Sequence, residues 1–197
     1  MGRDVHEASA AARQVFEAAD RALGFALSKL CFEGPEEELR RTEIQQPAIL
    51  ATSVALLRAL EEQAPPAPAY VAGHSLGEYT ALVAAGALAL EDAVALVHAR
   101  GRFMQEAVPQ GRGAMAAVLG LDPEEVARVC EEVAAETGAV VGPANFNGPA
   151  QTVIAGETEA VARAGARAKE AGARRVVERP VSAPFHCALM EPAAEKL

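Results

Sequence analysis

Gly73-His74-Ser75-Leu76-Gly77 stands between a short apolar run, Tyr70-Val71-Ala72, and an alanine-rich stretch that reads as helix from Leu76 to about Ala85. Few backbones accommodate that order. A serine with glycines two residues to either side, after a strand and before a helix, predicts a sharp turn that lifts the hydroxyl clear of the main chain. A Cβ at either glycine is expected to collide with the neighbouring strand or helix. The first N–H groups of the helix point at Ser75, and its dipole favours negative charge there. The N–H of Leu76 is the first candidate donor to an oxyanion. The same five residues also fit an ordinary strand-to-helix turn, and only the predicted strand and helix around them separate the two readings.

Helical periodicity dominates the first half. Asp4 can cap a helix with apolar positions Val5, Ala8, Ala12, Val15, Phe16 and Ala19, ending near Gly24. Pro35 can open a short acidic helix from Glu36 to Arg41. A longer helix is predicted from Pro47, with Ile49, Leu50, Ser53, Val54, Leu57 and Leu60 facing inward. The proline-rich stretch Ala64–Ala69 ends it. Gly86 closes the helix after Ser75, and Glu91–Gln105 forms the next.

The rhythm changes at Gly113. Strands are predicted over Ala114–Leu119, Ala139–Asn145, Gln151–Gly156 and Ala173–Val177, with helices over Pro123–Glu136 and Thr158–Ala171. That βαββαβ order predicts an inserted ferredoxin-like subdomain over residues 113–175, with Asn147-Gly148-Pro149 as its middle turn. Residues 1–112 and 176–197 then form an α/β-hydrolase-like core with a parallel sheet.

Bulk properties narrow the function. A length of 197 residues, 51% apolar and 23% charged, fits a soluble globular protein. No apolar run approaches the roughly 20 residues of a membrane span and no leader opens the chain, so a cytoplasmic location is expected, with no membrane partner. A net charge of −9 and 4% aromatics disfavour nucleic acid. Cys31, Cys130 and Cys187 form no CxxC pair, so neither a disulfide framework nor a zinc site is expected, and no metal or cofactor is called for.

A serine hydroxyl needs a base. Of the four histidines, His6 reads as a surface residue of the first helix. His98 reads as structural, because it and Arg100, two residues apart on a helix, point in different directions. His74 adjoins the serine and suits the pocket wall. His186 follows a strand in a proline-rich loop, a common place for a catalytic residue. Arg100 itself fits a solvated helix arginine or an ion pair with Glu91 or Asp92. Cys187 reads as a structural thiol, since adjacent residues of an extended segment face opposite ways.

Several segments taken together resemble one family. They are Gln46-Pro47-Ala48, Gly73-His74-Ser75-Leu76-Gly77-Glu78-Tyr79 and Arg100-Gly101-Arg102-Phe103-Met104-Gln105-Glu106-Ala107-Val108-Pro109. Gly113-Ala114-Met115-Ala116-Ala117, Asn145-Phe146-Asn147, and Pro180-Val181-Ser182 with His186-Cys187-Ala188-Leu189-Met190 complete the set. In order and spacing they resemble the malonyl-CoA:acyl carrier protein transacylases. The resemblance implies Ser75 as nucleophile, His186 as its base and Arg100 as the clamp on the malonyl carboxylate. It implies Leu76 at the oxyanion, His74 in the pocket wall, and Phe185 crowding an α-methyl group. Asn147, with Asn145, either contacts the pantetheine arm or serves the turn. The implied partners are malonyl-CoA and an acyl carrier protein. Carrier proteins of this pathway are acidic, and Arg163, Arg167, Lys169, Arg174, Arg175 and Arg179 form the most basic stretch, read either as a docking face or as a solvated helix face with pairs such as Glu159–Arg163.

Members of that family begin with a Gly-Gln-Gly-Ser-Gln loop that lends a second oxyanion donor, and they continue about a hundred residues past the segment ending at Leu197. The resemblance therefore implies that the 197-residue chain is nearly inactive by itself, since losing one such donor costs about a hundredfold or more in rate. Three competitors stay open: a serine esterase or thioesterase with the same turn, a non-catalytic docking fragment, and an acyltransferase domain of a polyketide synthase.

Overall fold

The computed structural model describes residues 1–63, 68–109, 111–179 and 183–197. The fold is mixed α/β, in two compact units, Met1–Arg102 and Phe103–Leu197.

The first unit is helical: α1 (Arg3–Ala8), α2 (Ala10–Leu23), α3 (Leu27–Glu33), α4 (Glu36–Leu39), α5 (Thr42–Glu61), α6 (Gly77–Ala84) and α7 (Leu90–Ala107), whose last residues belong to the second unit. The single opening helix expected from the sequence is two. Ser9 breaks it, because its extended backbone lets Oγ cap α2 at the Ala12 N–H while donating to Glu62 Oε2 at 2.8 Å. Asp4 lies inside α1 rather than at its cap. His6 is no plain surface residue either, since its ring lies 4.8 Å from Phe32 and 5.8 Å from Phe16.

Helix α5 starts at Thr42, five residues before the expected Pro47, and its inward face is Ile44, Ala48, Leu50, Ala51, Val54 and Ala55. Ile49 and Leu60 point outward, 40% and 52% exposed. Alanines form the inner face, which lets α2 and α5 pack closely around Phe16, Leu50 and Val54. Pro47 sits inside the helix and lacks the N–H that would meet the Glu43 carbonyl. That carbonyl is taken instead by Nδ1 of His98 on α7, at 2.8 Å. A carbonyl only accepts, so Nδ1 carries the proton and His98 is structural, as expected. Gly101 permits the crossing, because a Cβ there would lie 2.5 Å from the Glu43 Cα and 2.6 Å from the Thr42 carbonyl oxygen. Gly101→Ala should therefore destabilise the protein by about 1–3 kcal/mol, read as a fall of several degrees in Tm. An unchanged Tm would mean that the helices separate at no cost.

Tyr70–Ala72 pairs in no sheet among the described residues, and Tyr70 is 94% exposed. The expected strand before Ser75 and the expected parallel sheet are thus corrected. A strand needs a hydrogen-bonded neighbour, and the described residues give this stretch none.

The second unit carries β1 (Gly113–Leu119), α8 (Pro123–Thr137), β2 (Val141–Gly148), β3 (Gln151–Glu157), α9 (Thr158–Glu170), β4 (Arg175–Arg179), a 3-10 turn at Ala188–Met190 and α10 (Glu191–Lys196). The βαββαβ order is as expected. Its sheet runs β2-β3-β1-β4 and every pairing is antiparallel. Ala116, Val118 and Ile154 face α8 and α9, while Met115, Ala117, Val153 and Ala155 face Phe185 and Cys187. Burial on both faces explains why β1 is an unbroken apolar run rather than an alternating one. Of the expected turn Asn147-Gly148-Pro149, Pro149 lies in the observed turn Pro149-Ala150, while Asn147 and Gly148 end β2, which absorbs extra residues in two bulges.

Candidate active site

Ser75 has a φ of 54° and His186 a φ of 59°, and among the described residues these two are the non-glycine positions in the left-handed region. Such a backbone costs of order 1–3 kcal/mol and persists where the surroundings impose it. Around Ser75 the imposition is visible. The Gly77 N–H donates to the His74 carbonyl at 2.9 Å and the Glu78 N–H to the Ser75 carbonyl at 3.1 Å, winding the chain directly into α6. A Cβ on Gly73 would lie 1.9 Å from the Gly77 carbonyl carbon and oxygen. Gly77 differs from expectation: among the described residues nothing lies within 4 Å of a Cβ built there, so only the first glycine is sterically required. The side chains of Leu76 and Tyr79 pack onto the helical core, which holds the turn from below.

Arg100 reaches the same serine from α7. Its Nη2 donates to Ser75 Oγ at 3.2 Å and its Nη1 to Gln46 Oε1 at 2.5 Å. The guanidinium carbon lies 5.7 Å from the centre of the Tyr79 ring. Burial pushes the Arg100 pKa down from the ordinary guanidinium value, while Tyr79 and Glu78 nearby oppose that shift. Its hydrogen-bond partners among the described residues are an amide oxygen and a hydroxyl, so the ion pair with Glu91 or Asp92 is not formed. A cation held beside a serine oxygen offers a socket for a substrate carboxylate next to the nucleophile.

Two residues here carried no role in the sequence reading. Gln46 was visible as a polar side chain one turn before Leu50 and two before Val54 on the buried face of α5. Tyr79 lies in the first turn of α6, with its ring beside the Arg100 guanidinium.

His74 is exposed. His186 is exposed on a turn of the second unit, between Phe185 and Cys187. Phe185 packs on Met104, Val108, Ala183 and Met190 on one side and on Met115 and Val153 on the other. Cys187 donates its S–H to the Pro184 carbonyl at 3.1 Å, and burial pushes its thiol pKa up, consistent with a structural thiol. Asn147 is exposed at the second bulge of β2. Pro180-Val181-Ser182, and the loop residues Ala64 to Ala67, lie outside the described residues. Arg163 and Arg167 are tied to Glu136 of α8 at 2.6 and 2.7 Å, a pairing across helices rather than the Glu159–Arg163 pair expected within one. Among the described residues no group of three His, Cys, Asp or Glu side chains is placed to hold a metal ion.

The acyl transferase domain model matches residues 1–197. The malonyl CoA-acyl carrier protein transacylase of Escherichia coli strain K12 is 58% identical over 184 residues, covering 93% of this chain and 59% of that protein. The structure of the malonyl CoA-acyl carrier protein transacylase from Coxiella burnetii superposes with a TM-score of 0.96 at 47% identity, covering all of this chain and 61% of that one. A malonyl-transacylase solved in complex with its type II polyketide synthase acyl-carrier protein superposes with a TM-score of 0.95 at 52% identity, over all of this chain and 63% of that one. The chain thus spans about three-fifths of the length of these relatives.

Proposed function

The chain belongs to the acyl transferase domain family, and from that premise we propose that it carries a malonyl group from malonyl-CoA to the phosphopantetheine thiol of an acyl carrier protein. The observation that carries this reading is the Arg100 guanidinium hydrogen-bonded to Ser75 Oγ at 3.2 Å. An esterase for uncharged acyl groups has no use for a half-buried cation against its nucleophile. A malonyl thioester, with a carboxylate two carbons from its carbonyl, does. The relatives named as malonyl transacylases, and the one bound to a carrier protein, support the same substrates.

The reaction is ping-pong. His186 takes the proton of Ser75 Oγ as that oxygen attacks the thioester carbonyl. The Leu76 N–H and the start of α6 stabilise the resulting oxyanion. The C–S bond breaks, coenzyme A leaves with the proton from His186, and a malonyl ester remains on Ser75. The pantetheine thiol then gives its proton to His186 and attacks that ester; the ester C–O bond breaks, and the Ser75 oxygen leaves with the proton from His186. Arg100 holds the malonyl carboxylate through both halves. His74 lines the approach, Phe185 crowds an α-methyl group, and Asn147 lies along the pantetheine arm. On this reading the step supplies malonyl units for fatty acid elongation in the cytoplasm. No helix among the described residues is long and apolar enough to cross a membrane.

The sharp turn into α6 supports a hydrolase-like catalytic core, and the 4-1-3-2 antiparallel order supports a ferredoxin-like insert. Since β4 pairs with β1 as far as Arg179, the insert is drawn to that residue rather than to 175.

Incubation with malonyl-CoA and a holo carrier protein tests the function. Malonyl thioester on the carrier is expected. Free malonate without transfer would point to an esterase, and carrier binding without acylation to a docking role. With Arg163 and Arg167 engaged by Glu136, the proposed docking charges are Arg174, Arg175 and Arg179. Reversing the charge of Arg174 and Arg175 should raise the KM for carrier protein roughly tenfold and leave that for malonyl-CoA unchanged. No change in either removes that surface.

A further inference from the structure

Arg100 has to satisfy two demands that pull against each other. It must point at Ser75, and it must keep its charge available for an incoming carboxylate. The usual way to fix a buried guanidinium is a carboxylate partner, which meets the first demand by defeating the second.

Gln46 resolves this. Its side chain is buried on α5, 6% exposed. Its Nε2 donates to the Oγ1 of Thr42, 3.1 Å away and itself 3% exposed. An amide has one donor end and one acceptor end. Committing the NH2 to Thr42 turns Oε1 to Arg100, whose Nη1 it meets at 2.5 Å while Nη2 reaches Ser75. The helix crossing at Gly101 and the His98–Glu43 bond hold α7 against α5 just beside this contact. The distance from Gln46 to Arg100 is therefore set by rigid elements rather than by a loop.

We propose that Gln46 is the positioning and specificity residue of the site, a neutral acceptor that aims the Arg100 guanidinium at Ser75 without cancelling its charge. The proposal rests on the malonyl-transfer reading above. It gives a reason for an amide rather than a carboxylate at position 46. Glutamate has the same length and could reach the same nitrogen, but it would form an ion pair and compete with the malonyl carboxylate for the guanidinium.

Steady-state kinetics with malonyl-CoA and acetyl-CoA test it in the intact protein, comparing wild type with Gln46→Glu. The variant should raise the KM for malonyl-CoA about tenfold or more, while acetyl-CoA, which carries no carboxylate, stays within about threefold. A purely structural glutamine would impair both substrates alike. Equal loss toward both, or an unchanged malonyl preference, overturns the proposal. Thr42→Val serves as a second variant should Gln46→Glu fail to fold. It leaves every charge in place and frees the amide to turn, so the malonyl preference should fall severalfold through kcat, and an unchanged preference again overturns the proposal. Wild-type protein that takes no malonyl group from malonyl-CoA would sink the functional reading itself, which keeps the two failures distinct.

Discussion

Gly73→Ala should abolish acylation of Ser75, lowering kcat/KM by about a hundredfold or more. The atoms a Cβ would strike are main-chain atoms, at 1.9 Å for the Gly77 carbonyl carbon and oxygen and 2.4 Å for the Glu78 nitrogen. No rotamer relieves such a clash, so the start of α6 must move by an ångström or more. That displacement carries Ser75 away from Arg100 and shifts the Leu76 N–H away from the oxyanion, and a misplacement of about 1 Å is worth roughly a hundredfold in rate. Gly77→Ala is the matched control. Among the described residues nothing lies within 4 Å of the added methyl, so activity should stay within a few-fold of wild type. Comparable activity of Gly73→Ala and wild type would show that the turn does not depend on close approach of its two ends.

Arg100→Ala should be selective rather than general. Removing one partner of a buried charged pair costs about 2–5 kcal/mol, so kcat/KM for malonyl-CoA should fall by roughly thirtyfold to several thousandfold. Acetyl-CoA, with no carboxylate to lose, should be used as well as before or better. Arg100→Lys keeps the charge without the planar fork and should recover only part of the loss. A melting temperature measured alongside separates loss of the clamp from loss of the fold. A parallel drop for both substrates would assign Arg100 to the architecture instead of to the carboxylate.

What could be seen in the sequence was what local rules or uniform burial impose. The βαββαβ order was legible because a sheet buried on both faces writes strands as unbroken apolar runs, such as Met115–Leu119, between amphipathic helices. The turn at Ser75 was legible because its constraint lies within five residues. Arg100 was different. It stands 25 residues from Ser75, and helical patterning alone fitted it equally to solvent or to Glu91 and Asp92; only the family resemblance pointed to the serine. Gln46 was missed because its role is set by the crossing of α5 and α7, which no periodicity reports. Pro47 misled as a helix start, since the carbonyl it leaves unbonded is taken by His98, 51 residues later. Tyr70–Ala72 read as a strand from its composition, yet a strand exists only through its neighbours.

The central claim is a covalent one, that Ser75 accepts the malonyl group. Peptide mapping by tandem mass spectrometry, after brief exposure of the protein to malonyl-CoA, reads it directly. A malonyl ester on the peptide carrying Ser75, absent from Ser75→Ala, is the predicted result. A malonyl group found on any other residue, or an adduct that survives Ser75→Ala, would contradict it.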